Sequence, residues 1–284
     1  MSMTVPDLLT ALRSGKPVFA AELRPPRAEL ATGEGMDAWI DTYHAVKRLT
    51  QQGTYVFLTD SAVGSQEEDN LRHLVTNLGT DVPRQRIVPF LTSKHPLEYC
   101  YAYAERARQH GFSNLVVLGG DKAVGTPRAV AHAWQLRELL RASHPDLTMG
   151  GWANPHADAA RQLDFLAADN FFAEYFLTQV VSHHDRAIVE RFVSVAQRRG
   201  QSLPGVFGVF YYRSANLKTL TALRGFLPVP IEGLQKDFAS GATPEEVCAR
   251  TIRTLRDLGA KHFYISNLPI GRAPATLSAI LARL

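Results

Sequence analysis

Two acidic residues occupy places where chemistry could occur, because each lies at the end of a short apolar run. Glu22 is near the end of Val18–Leu23, and Asp121 follows Leu115–Leu118 and a double glycine. An acid that is partly removed from water keeps its proton to higher pH, which suits Glu22 to proton transfer near neutral pH. The structural alternatives are a salt bridge from Glu22 to a neighbouring arginine and a turn-capping role for Asp121.

The glycine-rich segment around Asp121 does not have the pattern of a phosphate loop. Its sequence, GGDKAVG, lacks the G-x-G-x-x-G spacing of a dinucleotide-binding turn, and no G-K-[ST] follows it. An acid beside the glycines would also repel a phosphate. Two glycines allow a ligand to approach the backbone closely, so we expect the Asp121 carboxylate to face a positive charge or a hydrogen-bond donor.

Further polar residues also follow apolar runs. Gln179 ends a strand-like segment, where a buried amide needs partners such as the amide-like edge of a fused-ring ligand. His156 begins a helical segment, and a capping or structural role explains it more readily than a functional one. The motif SHHD at residues 182–185 suggests a metal site at first sight. However, adjacent histidines are expected to point in different directions and no third ligand has metal-site spacing, so we predict no metal.

These residues need a scaffold that brings distant segments together, and the chain predicts one. Short β-rich runs alternate with amphipathic helical segments, which indicates a parallel sheet. The predicted strands are Val18–Leu23, Tyr55–Thr59, Ile87–Leu91, Leu115–Leu118, Thr148–Trp152, Tyr175–Thr178, Val206–Phe210 and His262–Ile265. The predicted helices are Met36–Leu49, Glu67–Leu78, Pro96–His110, Pro127–Arg141, His156–Ala168, Asp185–Arg199, Asn216–Arg224, Pro244–Leu258 and Pro274–Leu284.

Strand–helix alternation of this length predicts an α/β fold, a (β/α)8 TIM barrel, as a single domain over residues 1–284. The loops that follow the strands of a barrel share one face, and that face holds the active site. Residues scattered along the sequence would therefore meet there, namely Glu22, Thr59, Asp121, His156 and Gln179.

Composition narrows the function classes. The chain has 284 residues, 45% of them hydrophobic, and a diffuse net charge of +4, which favours small anionic ligands over nucleic acid. The two cysteines, Cys100 and Cys248, have no CxxC partner and are expected to be reduced thiols. The N-terminal segment lacks the pattern of a signal peptide, and no apolar run reaches the length of a membrane span. We therefore expect a cytoplasmic protein without a membrane partner.

Four loop motifs together resemble those of methylenetetrahydrofolate reductase. They are AAELRPPR, LGGD, WANPH and LTQ, in this order and after the corresponding predicted strands, and the likeness spans roughly Val18 to Arg272. The resemblance implies reduction of 5,10-methylenetetrahydrofolate to 5-methyltetrahydrofolate, a step of one-carbon metabolism and methionine biosynthesis. The family's usual form passes a hydride from NAD(P)H to the folate through bound FAD.

The resemblance also implies roles for individual residues. Glu22 matches the acid that protonates the folate as its five-membered ring opens, and Gln179 matches the glutamine that binds the pterin edge. Asp121 matches an aspartate near the pterin and the flavin, where it would stabilise the cation that ring opening creates. The matching positions beside the flavin are Thr59, Gly120, Trp152 and His156.

Three departures from the family pattern concern ligand contacts. Gly119 stands in place of a flavin-binding arginine, and Phe90 in place of a flavin-binding histidine. Leu217 replaces the aromatic residue that covers the folate, with Tyr211 and Tyr212 nearby. Because pterin-side residues are kept while flavin-side polar groups are lost, we expect folate binding without FAD. NAD(P)H, with NADH favoured, would then hand its hydride directly to the folate.

Two alternatives stay open at this point. One is the ordinary FAD-dependent reductase with substituted flavin contacts, and the other is a folate-binding or partner protein without turnover. The presence of both Glu22 and Asp121 disfavours the second, since binding alone requires no acid. The expected assembly is a monomer or a small homo-oligomer.

Overall fold

Eight parallel strands close into a barrel in which each strand pairs with the next and the last pairs with the first. The structure is a computed structural model that describes residues 5–26, 32–60, 71 and 78–284. The strands are β1 Phe19–Leu23, β2 Tyr55–Leu58, β3 Ile87–Thr92, β4 Asn114–Leu118, β5 Thr148–Ala153, β6 Tyr175–Val181, β7 Gly205–Phe210 and β8 His262–Ser266. The predicted (β/α)8 barrel is confirmed, and each predicted strand is present.

The helices of the described residues connect these strands. They are α1 Leu8–Arg13, α2 Thr32–Gln51, α3 Leu97–Gln109, α4 Ala133–Ser143, α5 Ala159–Ala167, α6 Arg186–Arg198, α7 Leu217–Arg224, α8 Ile231–Ala239, α9 Pro244–Asp257 and α10 Ala273–Leu281. The sequence did not predict α1 or α8. The predicted helix Glu67–Leu78 lies outside the described residues, apart from Leu71 and Leu78.

One predicted helix starts later than expected. The sequence predicted Pro127–Arg141, but α4 begins at Ala133. The buried Lys94 ammonium donates to the carbonyls of Val124 and Thr126 at 2.7 Å each, which draws the preceding segment over the end of β3. The residues before Ala133 are therefore held as a loop at the mouth of the barrel.

The interior of the barrel is filled by the inward-facing residues of the strands. Ala20, Phe57, Phe90 and Tyr264 belong to one buried apolar cluster. Alternate residues such as Ala21 and Leu23 belong to a second cluster, which packs against the surrounding helices. This alternation follows from the two-residue period of a strand.

Helix α1 closes the N-terminal end of the barrel. Its Leu8 and Leu12 are buried in the same cluster as the inward-facing strand residues. The Asp7 carboxylate caps the helix by accepting from the Thr10 amide at 2.8 Å. With this end closed, the carboxyl ends of the strands are the face open to ligands. Among the described residues, no helix combines the length and apolar character needed to cross a bilayer.

Candidate active site

Glu22 lies at the carboxyl end of β1 and points into the barrel. It has the same inward phase as Ala20, and the neighbouring β8 contributes Ser266, whose hydroxyl donates to Glu22 Oε1 at 2.5 Å. Burial raises the pKa of Glu22, while the hydrogen bond from Ser266 opposes the shift. The carboxyl therefore keeps its proton to a higher pH than an exposed glutamate.

The side chain of Tyr264 reaches from β8 to β6, two strands away in the barrel. Its hydroxyl donates to the Thr178 carbonyl at 2.6 Å, and burial together with the Glu22 charge raises the pKa of Tyr264 well above its usual value. A Cβ at Gly208 would lie 2.4 Å from the Tyr264 hydroxyl oxygen. Glycine at position 208 therefore allows the ring to cross the barrel below Glu22.

Gln179 lies in a β-bulge of β6. The register between β6 and β7 shifts between Leu177 and Val180, and the Thr178 hydroxyl accepts from the Gly208 amide at 3.0 Å within this irregular stretch. Bulges re-aim side chains and are common next to active sites. Gln179 Oε1 accepts from the Val180 amide at 2.9 Å, so the carboxamide is oriented by its own backbone.

The other positions matched to the flavin side differ in their surroundings. Trp152, near the end of β5, is half-buried against the interior cluster. The His156 Nε2 donates to the Val180 carbonyl at 3.0 Å, which connects the loop after β5 to β6. The Thr59 amide donates to the Leu23 carbonyl at 3.1 Å, beside β1. These side chains belong to the same end of the barrel as Glu22.

Phe90 is buried in the barrel interior. Its ring centroid lies 5.8 Å from that of Phe57, which in turn lies 5.9 Å from that of Tyr264. The three rings form one continuous apolar layer. Phe90 therefore extends the core toward the mouth and presents no polar group there.

Asp121 differs from Glu22 in both exposure and bonding. It lies beyond the end of β4, is exposed, and its Oδ1 accepts from the amides of Ala123 and Val124 at 2.7 and 3.1 Å. This is the turn-capping arrangement that the sequence left open as an alternative. Asp121 thus lies on the loop at the barrel mouth and stabilises the conformation of that loop.

The space beside Gly119 is filled by an arginine from later in the same loop. A Cβ at Gly119 would lie 2.8 Å from Arg128 Cζ, and Arg128 donates to the Gly120 carbonyl, eight residues earlier in the chain. The loss of the flavin-binding arginine at position 119 was expected to leave this part of the loop without a hydrogen-bond donor. That expectation is wrong, because Arg128 brings a guanidinium beside Gly119. Arg128 Nε is buried and has no acceptor among the described residues.

The residues proposed to cover the folate differ in their surroundings. Tyr211 faces outward from the barrel, where it is buried in the helix-facing core and donates to Glu245 Oε1 on α9 at 2.6 Å. Tyr212 packs in a separate apolar cluster with residues of α7 and α8. Leu217 is 55% exposed at the start of α7. The strand alternation therefore turns the Tyr211 ring away from the barrel interior, and its contact with folate stays a prediction.

The two histidines of SHHD do not diverge. Both Nε2 atoms lie 2.9 Å from Asp237 Oδ2, and their ring centroids are 4.0 Å apart. The argument from adjacent histidines is therefore wrong for this pair. Asp237 lies 53 residues after His184, on a helix that the sequence did not predict, so no spacing rule could have found it.

Sequence reasoning also missed Ser266, Tyr264 and Arg128. Ser266 follows an apolar strand in the motif SNLP, and a hydroxyl at the end of a barrel strand is a weak signal that was present. Tyr264 has the pattern of an ordinary core residue. The position of Arg128 depends on how its loop folds back, which no local pattern encodes.

Comparison with known proteins finds a solved structure with a similar fold, and that neighbour binds a reduced folate. No family model matches the chain, and no curated protein matches it. A solved structure of an uncharacterised protein from Clostridium thermocellum, which binds two copies of 5-methyl-5,6,7,8-tetrahydrofolic acid, is similar with a TM-score of 0.63 and 15% sequence identity. The match covers 96% of this chain and 98% of that one. At this identity the likeness establishes that the two chains share the barrel fold.

Proposed function

We propose that this protein reduces 5,10-methylenetetrahydrofolate to 5-methyltetrahydrofolate, with NAD(P)H as the hydride donor. The observation that carries the proposal is Glu22, an inward-facing carboxyl at the open end of the barrel whose pKa is raised by burial. A structural neighbour that binds a reduced folate supports the substrate class. The four loop motifs of the sequence support the reaction.

The proposed reaction requires an acid at the position of Glu22. Opening the five-membered ring of the substrate breaks a carbon–nitrogen bond, and the departing nitrogen takes the Glu22 proton. The other nitrogen and the methylene carbon then form a cationic iminium, and a hydride from NAD(P)H converts this methylene into a methyl group. General acid catalysis is efficient when the pKa of the acid lies near the working pH, and burial shifts Glu22 in that direction.

Gln179 is the residue proposed to orient the pterin. Because its Oε1 is occupied by the Val180 amide, its carboxamide nitrogen is the group that would donate to an acceptor on the pterin edge. The β-bulge fixes this orientation without help from the ligand. Trp152, half-buried at the end of the adjacent β5, would supply an apolar surface for a ring system.

Asp121 is proposed to stabilise the cationic iminium. Both of its bonds to the loop backbone use Oδ1, so Oδ2 is the oxygen that would face the cation. The Asp121 side chain is exposed, so its charge is well solvated, and a bound folate would have to exclude water for the interaction to strengthen. We therefore expect a smaller contribution from Asp121 than from Glu22.

The positions that would face a flavin fit FAD poorly. Phe90 presents no hydrogen-bonding group, and the Nε2 of His156 is used by the Val180 carbonyl. The Arg128 guanidinium donates within its own loop, to Gly120 and Ala131. We propose that NAD(P)H transfers its hydride directly to the bound folate.

The experiment is a turnover assay with an ultraviolet–visible spectrum of the same preparation. Purified protein is incubated with 5,10-methylenetetrahydrofolate and NADH or NADPH, and the folate product is identified by mass spectrometry. We expect 5-methyltetrahydrofolate from protein without flavin absorbance, and steady-state kinetics that indicate a ternary complex. Folate binding without product would support the non-catalytic alternative, and activity that depends on added FAD would support the ordinary flavoenzyme.

A further inference from the structure

A second cluster of ionisable side chains lies outside the candidate active site. It consists of His183 and His184, on the turn that follows β6, and Asp237 on α8. The two Nε2 atoms and one carboxylate oxygen of these residues all lie within 4.8 Å of one another. We propose that these three residues bind a divalent first-row transition metal ion of the zinc type, independently of the proposed reduction.

The local backbone explains why two consecutive histidines converge. Residues 183–185 form a 3-10 turn, in which the Ser182 hydroxyl accepts from the His184 amide at 3.0 Å and Asp185 Oδ2 accepts from the Ser182 amide at 2.8 Å. This reciprocal cap holds the turn in one conformation. Both rings can then reach one carboxylate from neighbouring positions.

Helix α8, which carries Asp237, has a glycine at the point where the His184 ring packs against it. A Cβ at Gly233 would lie 2.6 Å from three atoms of the His184 ring, so only glycine lets this imidazole lie against the backbone of α8. The Asp237 side chain is only 9% exposed, and that of His183 is 10% exposed. Two of the three ligands are therefore held in place by the protein interior, while the more exposed His184 can adjust.

The surroundings provide the outer contacts that a metal-bound imidazole needs. A histidine that binds metal through Nε2 carries its hydrogen on Nδ1, and this group usually donates to an oxygen. The His183 Nδ1 lies 2.9 Å from the Thr251 hydroxyl, which can in turn donate to the Val247 carbonyl at 3.1 Å.

The Asp237 carboxylate is likewise oriented by a side chain that is not a proposed ligand. Arg250 donates to Asp237 Oδ1 at 2.5 Å, which leaves Oδ2 directed at the histidines. Ligand atoms of a tetrahedral zinc ion lie roughly 3.4 Å apart, given bonds of about 2.0–2.1 Å. Each histidine Nε2 now lies 2.9 Å from Asp237 Oδ2. Moving these ligand atoms apart by about half an ångström would therefore make room for the ion. Imidazole and carboxylate ligands together suit zinc, cobalt and nickel rather than calcium or magnesium.

Metal titration of the untagged, chelator-treated full chain tests the proposal. The probes are Co²⁺, followed by its visible absorption, and Zn²⁺, followed by calorimetry. We expect one equivalent to bind and Zn²⁺ to displace Co²⁺. His183→Gln and His184→Gln should each abolish this binding, because glutamine can still donate to Asp237 but is a poor metal ligand. Thr251→Val should weaken binding by about 10-fold, the lower end for an outer contact.

The matched control is His44→Gln, an exposed histidine on α2, which should bind metal like the wild type. Circular dichroism of each variant establishes that it is folded. Wild-type protein that binds no stoichiometric metal would overturn the proposal, as would a folded His183→Gln, His184→Gln double variant that binds as tightly as the wild type. Neither result depends on folate turnover, so the outcome is separate from that of the reductase assay.

Discussion

Two acidic residues at the open end of the barrel are held in opposite ways. Glu22 belongs to a strand, points inward and is contacted by a side chain of the neighbouring strand, Ser266. Asp121 belongs to a loop, is exposed, and is bonded to the amides of its own turn. In the sequence both look like an acid after an apolar run. In the structure the pKa of Glu22 is raised, and the cause is burial.

The position of an acid within the βα unit therefore decides which chemistry it can perform. A residue at the end of a barrel strand takes its environment from the barrel, so its solvation is set by distant segments. A residue three places further along takes its environment from local turn geometry. An acid that must hold a proton is therefore better placed on the strand, and an acid that must stay charged is better placed on the loop.

The largest effect is expected from Glu22→Gln. Glutamine keeps the size and the contact with Ser266 but cannot donate the proton, so turnover should fall by about 10²–10⁴-fold while folate affinity is kept. Steady-state kinetics and a folate titration measure both quantities. The exposed Glu138→Gln on α4 is the control and should leave both unchanged. Near-normal turnover of Glu22→Gln would remove Glu22 from the proposed chemistry.

Gly208→Ala should disturb the packing of the Tyr264 ring in the barrel interior, next to Glu22. The new methyl group would overlap the Tyr264 ring, so we expect a loss of about 1–3 kcal/mol in the free energy of unfolding, typical of an overpacked core. Denaturant unfolding measures it. Gly271→Ala is the control, because a Cβ there meets no atom within 4 Å. Equal stability of the two variants would mean that Tyr264 is not fixed across the barrel.

Asp121→Asn should have a smaller effect than Glu22→Gln. Asparagine can still cap the turn through its oxygen, so the loop is expected to keep its shape while the charge is removed. Two charges about 4 Å apart in high dielectric interact by about 1 kcal/mol, so kcat should fall about fivefold with little change in folate affinity. Asp257→Asn, at the end of α9, is the control. A loss confined to KM would assign Asp121 to binding alone.

Ser266→Ala should change the pH dependence more than the rate. The Ser266 hydrogen bond lowers the pKa of Glu22, so its removal should raise that pKa further. Because the protonated acid is the active form, the rate falls as pH rises through this pKa, and the variant should keep its activity to higher pH. Ser278→Ala, on the exposed side of α10, should leave the pH profile unchanged. A shift of the Ser266→Ala profile to lower pH would contradict the assignment.

Much of the barrel could be predicted from sequence because its strands are short apolar runs between amphipathic helices. Glu22 could be placed at the mouth by the same pattern, and Gln179 by its position at a strand end. Helices α1 and α8 were missed because they interrupt the strand–helix rhythm rather than continue it.

The remaining site features depend on contacts between distant residues. Arg128 reaches Gly119 only because Lys94 and the surrounding backbone fold the β4 loop back on itself. The two histidines meet Asp237 only because α8 packs beside the turn after β6. The outward orientation of Tyr211 follows from the register of β7, which a run of aromatic residues does not reveal. Such relationships are properties of the fold and have no local sequence signal.

The pKa of Glu22 can be measured directly. Carbon-13 NMR of protein labelled at the glutamate carboxyl groups would follow each glutamate with pH, and Glu22→Gln would assign the Glu22 signal by its absence. We expect Glu22 to titrate above the usual glutamate value of 4.5, because burial disfavours its charged form. Titration of Glu22 at or below 4.5 would contradict the claim that the barrel mouth holds a proton-donating acid.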